Sequence, residues 1–124
     1  MLSLRLVDSI TELGPHDAGC IAVSGSHGGI SSARYAVAAR PLLSVFNDAG
    51  GGLNHAGLAA LDFLQANNLA ACTVAHHSAR IGEASSTLAS GLINHVNANA
   101  AALGIQTGWT CQQALDAMIE VKKV

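Results

Sequence analysis

Three short stretches hold most of the residues able to do chemistry: Ser24-Gly25-Ser26-His27-Gly28-Gly29, Asn47-Asp48-Ala49-Gly50-Gly51-Gly52 and His76-His77-Ser78-Ala79-Arg80-Ile81-Gly82-Glu83. A histidine within hydrogen-bond reach of a serine or a water can take its proton, and a carboxylate can orient the imidazole. On that basis His27, Ser26, Asp48 and His76 are the candidate catalytic residues. Asp48 is the orienting group, and Ser26 or Ser78 is the nucleophile or a donor to substrate. The amides of Gly28 and Gly29, at the start of a predicted helix, suit a developing oxyanion. Arg80 can clamp a substrate carboxylate with two parallel hydrogen bonds. Ser24, Asn47, Ser78 and Glu83 complete the predicted substrate-binding set. His76 and His77 point to opposite faces if their strand continues, so one of the two is expected in the site. Arg80 and Glu83, three apart, also fit a plain ion pair of little energetic weight.

Two further chemistries compete. His27, Asp48 and either His76 or His77 make a two-histidine, one-carboxylate set of the kind that holds a divalent metal with an open position. No HExxH or comparable spacing accompanies them. Phosphate or nucleotide binding by the glycine turn ranks lower, because both nucleotide fingerprints are absent and Gly25, Gly28 and Gly29 have the wrong spacing. His16, His55 and His95 read as surface, helix-start and packing residues.

These stretches need elements to bring them together. Cys20 to Val23 is a short apolar run that leads into the first, which predicts a buried strand over 19–24. Strands over 42–46 and 70–75 lead into the second and third in the same way. Helices are predicted between them: one after Ser31 and Ser32, ending at Pro41, and one over 55–66 capped by Asn54 and closed by Asn67-Asn68. Leu2 to Val7 alternates apolar and polar residues, as an edge strand with one exposed face does. Beyond the third strand come a helix over 84–90 stopped by Gly91, a strand over 92–96 and a helix over 98–103. Thr110 with Gln113 then forms a capping-box pattern for the last helix.

Alternating strands and helices are the pattern of βαβ units. The expected fold is therefore one α/β domain over residues 1–124, with a mostly parallel sheet of about four to five strands, helices on both faces and Rossmann-like or flavodoxin-like layering. Such a sheet puts the carboxyl ends of its strands on one edge, where ligands bind in open α/β folds. The three polar stretches would then meet in one groove.

Composition narrows the function classes. Only 11% of residues are charged and 50% are apolar, whereas soluble domains carry about 25% charged residues. That deficit predicts a homo-oligomer. A formal net charge of -2 offers no basic stripe to nucleic acid, and few aromatic rings are available for stacking. No run is long enough to span a membrane, and residues 1–10 do not read as a secretory signal. The three cysteines, Cys20, Cys72 and Cys111, lack CxxC spacing and fit a reducing cytoplasm. The leading expectation is a cytoplasmic small-molecule enzyme, hydrolase or lyase, acting by acid–base chemistry on a small polar or carboxylated substrate. Its cofactor is unknown, with a divalent metal open. The competing expectation is a non-catalytic ligand-binding or assembly subunit.

Overall fold

The computed structural model describes residues 2–51 and 53–123. Among them one sheet runs in chain order: β1 (Leu4–Val7), β2 (Ile21–His27), β3 (Leu43–Asn47), β4 (Ala70–Val74) and β5 (Ile93–Val96). The first four strands are parallel and β5 returns antiparallel to β4. The helices are α1 (Ile30–Ala39), α2 (Ala59–Ala66), α3 (Ala84–Ser90), α4 (Ala98–Ala102) and α5 (Cys111–Lys123). None of the described helices is long and apolar enough to cross a membrane.

Side chains alternate between two cores along the central strands, as a pleat requires. Ala22, Phe46 and Ala71 face α1 and α2, where Ala33, Ala36, Ala60 and Leu64 meet them. Small residues on both sides let helix and sheet approach closely. Ile21, Val23, Leu43, Val45, Cys72 and Val74 face the other way, toward Ala114, Leu115 and Met118 of α5. Each parallel strand lies beside its predecessor, and right-handed crossovers advancing in one direction stay on one face. Accordingly α1 and α2 share a face, and the chain after β4 supplies the opposite cover. Helices thus lie on both faces of a mostly parallel sheet, as expected. All three cysteines are buried and free. Burial pushes the Cys111 thiol up to about 12, and it also raises Cys72 and Cys20.

Several local expectations change. β1 starts at Leu4, and its alternating leucines face outward: Leu4 and Leu6 are 44% and 45% exposed. β2 runs on to His27 instead of turning at Ser24. Its register with β3 passes from Val23 opposite Val45 to His27 opposite Asn47, so Ser24, Gly25 and Ser26 form a bulge. Bulges bend a strand and re-aim its side chains. Here Gly82 donates its N–H to the Gly25 carbonyl at 2.7 Å, and a Cβ on Gly25 would collide with the Gly82–Glu83 backbone. The β4–α3 connection crosses β2 at that point. Helix α1 is capped by Gly29 and not by Ser31 or Ser32, and it ends at Arg40 in the left-handed region before Pro41. The segment predicted as a helix over 55–66 divides into a 3-10 stretch, Leu53–Leu58, followed by α2, whose cap is Leu58. Gly52 and the Asn54 side chain lie outside the described residues. The Thr110–Gln113 capping box forms, with Gln113 N–H donating to Thr110 Oγ1 at 3.1 Å and Thr110 N–H to Gln113 Oε1 at 2.8 Å.

Candidate active site

Asp48 follows β3 directly and is 8% exposed. Its backbone N–H donates to the Val74 carbonyl at 2.9 Å, which continues the β3–β4 ladder and fixes where the side chain starts. Oδ1 accepts the N–H of Gly50 at 2.8 Å and of His76 at 2.9 Å, while Oδ2 accepts the Asn94 amide at 2.7 Å. Asn94 is itself held, its Oδ1 accepting the Thr73 hydroxyl at 2.7 Å. Burial pushes the Asp48 carboxyl up, but the Gly50 amide, the Asn94 side chain, the His76 amide and the nearby imidazole together outweigh it. The group is held below its ordinary 3.8 and is ionised at neutral pH.

His76 Nδ1 lies 3.3 Å from Asp48 Oδ1, on a side chain that is 58% exposed. A carboxylate at Nδ1 favours the tautomer with its proton there, which leaves Nε2 as the acceptor. The strand expected over 70–75 ends at Val74, so it does not continue through His76 and His77, and both histidines sit in a turn. Their rings meet edge to face, 5.7 Å apart. Only His76 reaches the carboxylate.

His27 ends β2 with an exposed ring. The Gly29 N–H donates to its Nδ1 at 3.1 Å, so the neutral ring carries its proton on Nε2. The two histidines are therefore biased to opposite tautomers. The His27 ring stands between two open cavities. One, of about 220 Å³, is lined by Ser9, Ile10, Thr11, Ser31, Ser32 and Tyr35, with Ser26. The other, of about 410 Å³, has mostly apolar walls that include Ile30, Ala49, Ala56 and Gly57.

Most of the predicted substrate contacts are committed to the protein. Ser24 is fully buried and donates to the Val45 carbonyl at 2.7 Å. Asn47, also fully buried, donates to the Ala79 carbonyl at 3.1 Å and accepts the Ala49 N–H at 2.8 Å. These two side chains brace the edge instead of facing a ligand. Ser78 donates to the Ala75 carbonyl at 2.6 Å and accepts the Leu92 N–H at 2.9 Å. The Gly28 N–H is used by the Asn47 carbonyl at 2.9 Å and that of Gly29 by His27, so neither points at an oxyanion. Gly28 is needed for space, since a Cβ there would collide with the Gly57 carbonyl. Ser26 accepts the Ile10 N–H at 2.8 Å and keeps its own proton. Arg80 and Glu83 face each other at 3.6 Å in the open.

Asp48 and His76, from two different strand ends, come together; His27 does not join them. Among the described residues no three of His, Cys, Asp and Glu cluster as a metal site would require, so the two-histidine, one-carboxylate set is not assembled. Asn94 is the residue that sequence reasoning missed. The one available signal was a polar residue interrupting the apolar run of β5, whose antiparallel return delivers it to Asp48. Comparison of the chain with protein-family models, with curated proteins and with solved structures finds no match. The functional reading therefore rests on this geometry.

Proposed function

We propose that the chain is an enzyme of hydrolase type that works by acid–base chemistry at the carboxyl edge of the parallel strands, on a small polar, carboxylated substrate. The observation that carries this reading is the buried, ionised Asp48 set against Nδ1 of the exposed His76. In it, Nε2 of His76 takes a proton from water as the water oxygen attacks the substrate carbonyl. Asp48 stabilises the imidazolium that forms, and the same proton then passes to the leaving group. Water is the nucleophile, since no serine hydroxyl is hydrogen-bonded to His76 among the described residues. The Nε2–H of His27 donates a hydrogen bond to the substrate oxygen, as a neutral imidazole can. The substrate bridges the two rings across the Ala49–Gly51 loop. Arg80, weakly held by Glu83, receives the carboxylate.

Self-association completes the reading. Leu4 and Leu6 share the sheet face of Ile21 and Val23, yet lie exposed on the edge strand. A second copy that covers them removes apolar surface which a chain so poor in charge leaves in water. The free, buried thiols fit the cytoplasm.

A turnover screen over small esters, lactones and amides of carboxylic acids tests the enzyme reading. His76→Ala should lower kcat on the active substrate by about 10²- to 10⁴-fold with the fold intact by circular dichroism. If the wild-type chain turns over no member, or if His76→Ala works as well, the enzyme reading fails and the ligand-binding alternative gains.

A further inference from the structure

The first turn of α1 opens on the smaller cavity with its backbone donors unused. Its cap, Gly29, has no side chain to offer, and the first amide bonded back to the cap is that of Ala33, to the Gly29 carbonyl at 3.0 Å. The N–H groups of Ile30, Ser31 and Ser32 have no partner among the described residues. Unpaired amides at a helix start, together with the helix dipole, favour an anion.

Ser32 gives independent evidence. It is only 5% exposed and it lines the cavity, yet its hydroxyl makes no hydrogen bond to any described residue. The neighbouring groups are donors as well. The Ser31 hydroxyl lacks a described partner, and Ser26 keeps its proton after accepting the Ile10 N–H. No carboxylate lines the cavity.

We propose that this cavity, formed by the first turn of α1 with Ser26, Ser31 and Ser32, binds a phosphate group. Amides and hydroxyls converging from several directions suit a tetrahedral oxyanion better than a planar carboxylate. This site is distinct from the glycine turn, whose own amides are spent, and it does not depend on the acid–base role of Asp48 and His76. Phosphate can arrive free or carried on an organic molecule, and Tyr35, half exposed at the cavity wall, offers a ring to the organic part.

The test is an NMR titration of the ¹⁵N-labelled full chain with inorganic phosphate, against sodium chloride at matched ionic strength. The Ile30, Ser31 and Ser32 amides should shift saturably, and Ser32→Ala should weaken the affinity about tenfold. Ser31→Ala, at an exposed position, should weaken it in the same direction. Phenyl phosphate distinguishes the sources: tighter binding than inorganic phosphate assigns the site to a phosphate monoester, and equal or weaker binding assigns it to free phosphate. Shifts no larger than those in chloride, or saturation unchanged by both serine substitutions, would overturn the proposal.

Discussion

A carboxylate withdrawn from water keeps its charge only where donors replace the lost solvent, and Asp48 receives three hydrogen bonds, from Gly50, His76 and Asn94. Its acidity is held below 3.8. The stability this contributes is fully present above that value and is lost as pH falls through the lower folded-state value. Asp17 acts in the same sense, held down by the Gly14 amide and by Arg5. Urea midpoints of the wild type should therefore be flat near neutrality and drop below about pH 4, with a shallower drop in Asp48→Asn. Equal acid limbs in the two proteins would show that Asp48 is not stabilised as described. At this scale the sequence was only partly legible. Asp48 and His76 stand out as polar residues at strand ends. Ser24 and Asn47 look the same in sequence, and only the bulge and the crossing of residues 79–83 show that they are interior braces. Asn94 showed only as a polar residue in an apolar strand, because its partner, Asp48, follows a different strand.

At the scale of elements, backbone contact positions the edge. The turn after β2 presses against the 3-10 stretch before α2, with the Gly28 carbonyl accepting the Ala60 N–H at 2.8 Å and no room for a Cβ beside Gly57. Gly28→Ala should cost roughly 1–3 kcal/mol in urea unfolding, because backbone must move. Gly29→Ala should cost less, since its Cβ crowds the His27 ring, which can swing aside, and meets the Ala56 carbonyl only at an ordinary 3.5 Å. Similar losses for the two variants would contradict the close-approach argument. Helix α3 and the Thr110–Gln113 cap were readable because their signals are local. The cap of α1 was not, because tertiary contacts at Gly28 fix the turn ahead of the nearby serines and override their capping preference. The alternation in β1 was read correctly, but which face meets water depends on what covers it.

For the whole molecule, layering was legible from alternating strands and helices, whereas strand order was not. The order β1-β2-β3-β4 never reverses among the parallel strands, so topology alone opens no crevice of the doubly wound kind. The clefts come instead from the β2 bulge and the loops after β2 and β3. Poverty of charge was legible from composition, and the exposed leucines of β1 give it a location. Native mass measurement at micromolar concentration should show a multimer that Leu4→Lys combined with Leu6→Lys dissociates; a monomeric wild type would refute the covered edge. All of the function proposed for the edge depends on one relation, that Asp48 holds His76 with its outer nitrogen free to accept a proton. Nitrogen-15 NMR of the imidazoles measures it directly, by reporting which ring nitrogen carries the proton. The account predicts a neutral His76 protonated at Nδ1, reverting toward the ordinary Nε2–H form in Asp48→Asn. A His76 that is Nε2-protonated in the wild type and unchanged in that variant would contradict it.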